Sequence, residues 1–262
     1  MMSVTCFMRG GAVALRQRLL RYLLIGVGMA PLTFGGLAFG AQFTPEQRAE
    51  IIQILRDALK TDPTILRDAV NAYQADQVQH QADAAKEMIA THHDTIFDKS
   101  DPAVGSDKPS VTIVEFFDPR CPYCRGLEDA MATWLRQDAG VRLIYKDLPI
   151  LGPPSVLGSR ALLAAQRQGG YDKLRDALMS GSPNITEDSI RTEAQKLGLD
   201  WAKLQKDMRD PAIQQRIDNN VQLAKLLGIE GTPGFIVGDR LVVGSDVAEV
   251  KDAAAAVRAK GG

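Results

Sequence analysis

Two cysteines three positions apart are the residues of this chain that are best placed to do chemistry. Cys121 and Cys124 lie in the segment EFFDPRCPYCRGLE, directly after a run of apolar residues that is typical of a buried strand. The chain has one other cysteine, Cys6. A C-x-x-C pair can supply half of a zinc site, a structural disulfide or a redox centre, so the rest of the sequence must decide between the three.

The histidines of the chain argue against a zinc site. A closed structural zinc site takes four ligands, usually from a second pair of cysteines or from two histidines at a defined spacing. The three histidines are His80, His92 and His93, and the adjacent pair has the wrong spacing and lies in a segment predicted to be a linker. We therefore expect no metal and no cofactor. Two thiolates could still bind Cu(I), so copper binding stays open as an alternative.

Disulfide exchange explains the pair better than stability does. Two cysteines three apart close a very small loop, so their disulfide would constrain the unfolded chain little. Cys121 precedes a predicted helix, whose unpaired N–H groups and dipole favour a negative charge and lower a thiol pKa. Pro122 fits the first helical position, where its missing N–H costs nothing. Cys124, one turn on, is near enough to attack a mixed disulfide held on Cys121.

The first forty residues have the layout of a secretory signal. They hold four arginines and no acidic residue, residues 22–45 carry no charge, and small residues at 38–41 suit cleavage. We predict that residues 1–40 are removed and that the protein is exported to the periplasm; a retained membrane anchor is the alternative. Cleavage takes Cys6 away and leaves a net charge of about −5, which argues against nucleic acid as a partner.

Residues 41–92 are predicted to form an N-terminal helical extension. Its first helix begins with Thr44 as N-cap and Pro45 at the first helical position, followed by apolar residues at helical spacing. The second helix can be followed to about Ile89. Its apolar stripe changes phase near Tyr73, so its two halves should meet different neighbours.

The remainder, residues 93–262, has the element order of an α/β domain. A strand, the helix that follows the cysteines, and a second strand with short joins suggest a parallel β-α-β unit. A helical block, a hairpin and a closing helix follow. The predicted segments are strands at 95–97, 111–118 and 141–151, a helical insertion at about 155–228, and a hairpin that turns at Gly238-Asp239.

With these motifs the sequence resembles the thioredoxin-fold thiol–disulfide oxidoreductases. FFDPRCPYC after a strand and GTPGF at the late hairpin carry the resemblance, and the helical block is similar to that of the DsbA-like branch. CPYC, LPILGP, the threonine before the late proline and the helical extension are most similar to the suppressor of copper sensitivity C type. The resemblance covers about residues 95–260. It implies a thioredoxin fold with an inserted helical subdomain, preceded by the N-terminal helical extension.

The resemblance also implies the roles of the two thiols and of one acid. Cys121 would be an exposed nucleophile and Cys124 the resolving thiol. Glu115, six residues before Cys121, would be a buried acid that moves protons for Cys124. Its place in an apolar strand supports this role, because a buried carboxylate is unfavourable without a task or partner. The alternative is an acid at a strand end that reaches solvent.

Four further residues receive roles from the resemblance. Pro122 and Tyr123, between the thiols, would tune the redox poise. Thr232 and Pro233 would match the cis-proline loop of the family, which lies beside the nucleophile and offers backbone groups to a bound peptide. From the residues alone, GTPG is equally consistent with an ordinary turn.

Three functions remain open from the sequence. The first is an enzyme that exchanges, forms or isomerises disulfides in exported proteins; the others are a copper-binding or copper-protective thiol protein and a non-catalytic chaperone. The direction of exchange depends on the membrane redox partner that recharges the pair. Members of the resembling family trimerise through such an extension, so we predict a homo-oligomer, with three copies as the first choice and two as the second.

Overall fold

The computed structural model describes residues 43–261, so the predicted signal segment and its cleavage site lie outside the described residues. The chain divides into two compact units, one that ends at Thr61 and one that begins at Asp62. In the part of the chain from 43 to 261, no helix is both long enough and apolar enough to cross a membrane.

Helix α1, Pro45–Thr61, belongs to the first unit. Its start is a capping box: the Gln47 N–H donates to Thr44 Oγ1 at 3.3 Å, and the Thr44 N–H donates to Gln47 Oε1 at 2.9 Å. The predicted N-cap is therefore confirmed. None of the residues of this helix is buried. Its exposed large apolar side chains are Ile51, Ile52, Ile54, Leu55 and Leu59.

The second unit begins with helix α2, Thr64–Thr91. Residues 64–84 of this helix are exposed along their whole length. The last turns behave differently, because Ile89 is buried and Lys86 Nζ lies 3.1 Å from Asp239 Oδ2, in the turn of the late hairpin. The end of α2 is thus anchored on the domain that follows it.

A five-stranded mixed sheet forms the centre of the second unit. Its strands are β1 Ala103–Gly105, β2 Val111–Phe117, β3 Val141–Asp147, β4 Gly234–Val237 and β5 Arg240–Val243. Their order across the sheet is β1-β3-β2-β4-β5, in which β2 and β3 are parallel and all other pairs antiparallel. The carboxyl ends of β2 and β3 therefore lie side by side, and the residues that follow them share one edge of the sheet.

Helices cover both faces of this sheet. They are α3 His93–Ile96, α4 Pro122–Gln137, α5 Pro153–Gln166, α6 Tyr171–Ser180, α7 Glu187–Lys196, α8 Trp201–Met208, α9 Pro211–Leu226 and α10 Val247–Ala259. Alternate residues of β2 face opposite sides, as in any strand. Ile113 and Phe117 join a large cluster with residues of α4–α10, whereas Val114 and Phe116 join a smaller one with Ile89.

The predicted order of β-α-β, helical block and β-β-α is confirmed, and so is the hairpin that turns at Gly238-Asp239. The predicted strand at 95–97 is wrong. Thr95 and Ile96 belong to α3, whose C-cap is Phe97, and Ile96 is buried in the smaller cluster. The additional strand lies further on, at β1. A short apolar run has no periodicity of its own, so the sequence could not separate one helical turn from a short strand.

Candidate active site

Three separate segments meet at Cys121. This residue is the N-cap of α4, with extended backbone angles (φ −63°, ψ 121°), and Pro122 takes the first helical position. The Cys121 N–H donates to the carbonyl of Asp118, in the turn that joins β2 to α4. The Cys121 Sγ lies 3.2 Å from the Thr232 carbonyl oxygen, and the peptide bond between Thr232 and Pro233 is cis.

The solvent exposure of Cys121 differs from the prediction. Cys121 has only 4% of its surface exposed, so the prediction of an exposed nucleophile is wrong. The reason is that the Thr232 segment lies against the thiol. Pro122 and Tyr123 are the exposed residues of the motif, and 67% of Tyr123 is accessible. Cys124 is fully buried, and both cysteines are free thiols.

The surroundings of Cys121 favour its thiolate. A hydrogen bond from Cys124 has the largest effect on the pKa of Cys121, and burial opposes it. Hydrogen bonds from the Thr232 side chain and from the N–H groups of Cys124 and Tyr123 act in the same direction as the Cys124 bond. Together they lower the pKa of Cys121 to about 5. These N–H groups belong to the first turn of α4, which has no intrahelical partner for them. Cys121 is therefore ionised near neutral pH.

Cys124 has the opposite preference. Its hydrogen bond to Cys121 raises the pKa of the Cys124 thiol well above its ordinary value, and burial and the negative charge of Glu115 raise it further. A buried thiol of this kind keeps its proton until a base removes it. The pair thus holds one thiolate that is ready to attack and one protonated thiol beneath it.

Glu115 is fully buried on the face of β2 that α4 and α6 cover. Burial raises its pKa to about 8, while the positive charge of Arg175 lowers it and the negative charges of Glu128 and Cys121 raise it. Its Oε2 lies 3.4 Å from an Arg175 nitrogen, and its Oε1 has no hydrogen-bond partner among the described residues. The carboxyl group of Glu115 can therefore take and release a proton near neutral pH.

Arg175 is the unexpected member of this site. It lies on α6, has only 2% of its side chain exposed, and donates to both oxygens of Glu128 at 2.6 and 2.7 Å. Its guanidinium lies 4.6 Å from the ring centre of Phe117 and 3.9 Å from that of Tyr145. A buried arginine is stable here because two carboxylates and two ring faces replace its water.

One pattern in the sequence indicates that Arg175 is buried. Tyr171, Arg175 and Leu178 recur at the spacing of one helix face, and all three are buried. A charged residue on an otherwise apolar face predicts a buried partner of opposite charge. That partner could not be chosen, because Glu128 and Glu115 lie 47 and 60 positions away along the chain.

Hydrogen bonds join the turn before the cysteines to the loops at Leu151 and Pro183. Asp118 accepts from the Arg120 N–H at 2.8 Å through one oxygen and from the Leu151 N–H at 2.9 Å through the other. The Arg120 side chain donates to the carbonyls of Leu151 and Pro183 at 2.8 and 2.9 Å. The position of the motif therefore depends on the loops that follow β3 and α6.

No group of three or more histidine, cysteine, aspartate or glutamate residues within 43–261 is arranged to hold a metal ion. Cys121 and Cys124 are the thiols that this part of the chain offers to a soft metal ion.

Two family models match separate parts of the chain. Residues 112–254, more than half of its length, match the DSBA-like thioredoxin domain. The chain belongs to the DsbA-like thioredoxin family. Residues 47–79 match the N-terminal domain of the copper resistance protein ScsC. The predicted family resemblance and the predicted thioredoxin fold with N-terminal helices are thereby confirmed.

Curated relatives of this DsbA-like chain include antiporters and thiol:disulfide interchange proteins. The Na(+)/H(+) antiporter NhaA 3 of Salinispora tropica is 30% identical over 138 residues, which are 52% of this chain and 21% of the antiporter. The chain spans about a fifth of the length of the first curated relatives that it matches. The thiol:disulfide interchange protein DsbA of Bordetella pertussis is 27% identical over 145 residues, which are 53% of this chain and 69% of that protein.

Two similar solved structures cover more of the chain than these relatives do. A thioredoxin-like oxidoreductase from Silicibacter pomeroyi has 39% identity and a TM-score of 0.60, over 63% of this chain and 97% of that one. ScsC of Proteus mirabilis, in a transitional conformation, has 26% identity and a TM-score of 0.60, over 83% of this chain and all of that one. The second match extends into the N-terminal helices.

The thiolate of this DsbA-like domain should be visible in a pH titration. We expect the ultraviolet absorbance of the reduced protein to rise with a midpoint near pH 5, because hydrogen bonds stabilise the anion of Cys121. Cys121→Ser should remove this transition. Cys124→Ala should move it to higher pH, since Cys124 supplies the largest stabilising contact. A midpoint near the ordinary thiol value of about 8.5 would contradict the assignment.

Proposed function

We propose that this protein is a thiol–disulfide oxidoreductase that exchanges, forms or isomerises disulfides in exported proteins through Cys121 and Cys124. The observation that carries the proposal is the pairing of a low-pKa thiol at a helix N-terminus with a protonated, fully buried thiol one turn away. The family of the domain supports it, as does the interchange activity that the name of the Bordetella relative states for that protein.

The chemistry needs no cofactor. The Cys121 thiolate attacks one sulfur of a substrate disulfide, which forms a mixed disulfide and releases the other sulfur as a thiolate. Cys124 then gives its proton to Glu115 and attacks the Cys121 sulfur, which releases the second substrate sulfur. Two electrons pass from the protein pair to the substrate. The same steps in reverse oxidise a substrate dithiol.

The remaining site residues would serve binding and tuning. We assign substrate binding to Thr232 and Pro233, because the Thr232 carbonyl lies 3.2 Å from the sulfur that an incoming peptide must reach. We assign the tuning of redox poise to Pro122 and Tyr123. Pro122 starts the helix, and the Tyr123 N–H helps to lower the pKa of Cys121.

The N-terminal extension would assemble the protein into a homo-oligomer. A trimer is the first choice for this assembly and a dimer the second. Helix α1 buries none of its residues, and α2 leaves Ile65, Leu66, Val70, Tyr73 and Val78 exposed. Apolar side chains at helical spacing need a partner surface, and the match of residues 47–79 to the ScsC N-terminal domain supports assembly through this segment. We propose the boundaries 41–92 for the extension and 93–262 for the catalytic domain, with the last turns of α2 as the junction.

The substrates and partners would lie in the periplasm. The layout of residues 1–40 supports export, and a similar structure from Salmonella enterica, 32% identical, is described as a periplasmic thioredoxin-like protein. The pair must be recharged after each turnover, so we propose a membrane redox partner as the electron donor or acceptor.

Copper binding is the second candidate function. Its support is the copper resistance protein whose N-terminal domain matches residues 47–79, together with two free thiols that could hold Cu(I). No group of three or more histidine, cysteine, aspartate or glutamate residues within 43–261 surrounds a metal position, so we expect such a role to be secondary or shared between subunits.

Trapping of a mixed disulfide tests the proposed function. In Cys124→Ser the attack by Cys121 proceeds but the release does not, because no second thiol is present to resolve the bond. We expect this variant to accumulate one covalently bound substrate per chain, measured by mass spectrometry after incubation with a disulfide-containing peptide. The intact protein should show no lasting adduct. Equal adduct levels in the two proteins would contradict a resolving role for Cys124.

A further inference from the structure

One guanidinium faces two carboxylates beneath the redox pair. Arg175 donates to both oxygens of Glu128 at 2.6 and 2.7 Å, in the fork geometry that is strongest for an arginine and a carboxylate. Its contact with Glu115 is a single one, at 3.4 Å. Arg175 therefore binds mainly Glu128, on α4, and makes only a weaker contact with Glu115, on β2.

Glu115 is poorly stabilised as an anion in this arrangement. Its Oε1 is buried without a partner, and the Nε of Arg175 is also buried without one, so the two groups do not form the full set of hydrogen bonds available to them. A buried carboxylate with one long contact holds a proton more tightly than a fully paired one. The competition for Arg175 thus controls the affinity of Glu115 for a proton.

We propose that Glu128 is a positioning residue for the proton acceptor: by binding Arg175 it keeps Glu115 basic enough to take the proton of Cys124. The inference rests on the proposed exchange function and adds two residues that act through Glu115. The positive charge of Arg175 makes Glu115 a weaker base. Glu128 limits this effect, because it binds Arg175 through both of its oxygens. Neither residue touches the sulfur atoms.

The step that this arrangement serves is the resolution of the mixed disulfide. The Cys124 S–H bond breaks, its proton passes to the Glu115 carboxylate, and the Cys124 sulfur forms a bond to Cys121. The bond between Cys121 and the substrate sulfur breaks, and the substrate leaves with the electron pair. A stronger base at Glu115 favours the first event, and a weaker one slows it.

The proton can then leave through a cavity of about 200 Å³ that Glu115, Glu128 and Arg175 line. Its volume has room for several waters, each of which takes about 30 Å³ in the liquid. Asp172 and Asp176, both exposed, line it as well. The titratable and charged groups that face Glu115 from the elements around it are Arg175, Asp172 and Asp176 on α6, Glu128, Cys121 and Cys124 on or beside α4, and Tyr145 on β3.

Neutralising Glu128 or Arg175 should move the pH dependence of resolution in a defined direction. The acceptor must be a carboxylate, so the rate rises with pH through the pKa of Glu115. In Glu128→Gln the full charge of Arg175 becomes available to Glu115 and a repelling negative charge is lost, so the midpoint should move to lower pH. In Arg175→Met the cation is lost, so the midpoint should move to higher pH. Shifts of about one to three pH units are expected for a charge at this distance.

Stopped-flow mixing of the reduced, full mature protein with dithiobis(nitrobenzoate) measures this step. The first thionitrobenzoate is released when Cys121 attacks and the second when Cys124 resolves the adduct, so the second rate is followed against pH. Glu115→Gln should slow this rate and remove its pH dependence. Asp129→Asn is the matched control, because it removes the same charge from an exposed position next to Glu128 on α4. Its midpoint should equal that of the unchanged protein.

Opposite shifts in Glu128→Gln and Arg175→Met support the inference, and a purely structural role for the pair would lower stability in both without moving either midpoint. If Arg175→Met fails to fold, the direction of the shift in Glu128→Gln decides the question alone. An unmoved or upward midpoint in Glu128→Gln overturns the inference. Failure of the proposed function would appear differently, as a second release that persists in Cys124→Ala.

Discussion

Replacing Cys121 with serine is expected to abolish disulfide exchange, with a loss of about a thousandfold or more, as for removal of a catalytic nucleophile in other enzymes. The hydrogen bonds that lower the pKa of this residue to about 5 cannot ionise a serine hydroxyl, whose ordinary pKa is far higher. The reduction of a model disulfide protein, followed by its precipitation, measures the loss.

The matching control for this result is Cys124→Ser. That variant keeps the attacking thiolate, so its first reaction with a disulfide should still occur once per chain, although turnover stops. The two serine variants therefore separate attack from release. Turnover that persists in Cys121→Ser would contradict the proposed mechanism, and so would attack that is lost equally in both variants.

The parts of this site that the sequence could predict are local. A strand followed by C-P-x-C and an amphipathic helix places Cys121 at a helix N-terminus whatever the rest of the chain does, because Pro122 can start a helix but not continue one. The hairpin at Gly238-Asp239 is local in the same way, since Gly238 has a positive φ of 61° that a tight turn requires. The conformation of such segments is set by residues that are close in sequence, so it does not depend on how distant parts of the chain pack.

The parts that could not be predicted are set by contacts between distant segments. The low exposure of Cys121 comes from Thr232, 111 residues further along the chain. The charge balance at Glu115 comes from Arg175, which lies on α6, 60 residues further along the chain. Periodicity identified the helix, but the partner of a buried arginine depends on how α4 and α6 pack, which no window of sequence contains.

In the N-terminal extension the sequence has an apolar stripe that the described part of the chain does not bury. The helical spacing of Ile51, Leu55 and Leu59 was evident from the sequence, yet all three are exposed in α1. Burying a leucine or isoleucine is worth about 1.5–3 kcal/mol, so a stripe of such residues favours association with a second surface. The same holds for Leu66 and Val70 in α2.

Deleting residues 43–82 is therefore expected to convert an assembled protein into a monomer. The deletion ends before Lys86 and Ile89, which contact the hairpin and the smaller cluster, so the catalytic domain should stay folded. We expect the monomer to reduce a small disulfide peptide at an unchanged rate. Its rate of shuffling a scrambled protein should fall by about tenfold or more, because neighbouring sites no longer act on one chain at high effective concentration. Light scattering and a refolding assay measure the two effects.

A pair of point variants makes this test independent of the deletion. Leu55→Asp places a charge within the apolar stripe of α1 and should also give a monomer, because a carboxylate cannot enter an apolar seam without a partner. Gln53→Asp adds the same charge to an exposed polar position of the same helix and should leave the assembly intact. If light scattering finds a monomer for the unchanged mature chain, the exposed stripe does not serve assembly. If the deletion variant shuffles disulfides as well as the intact protein does, assembly is unrelated to isomerisation.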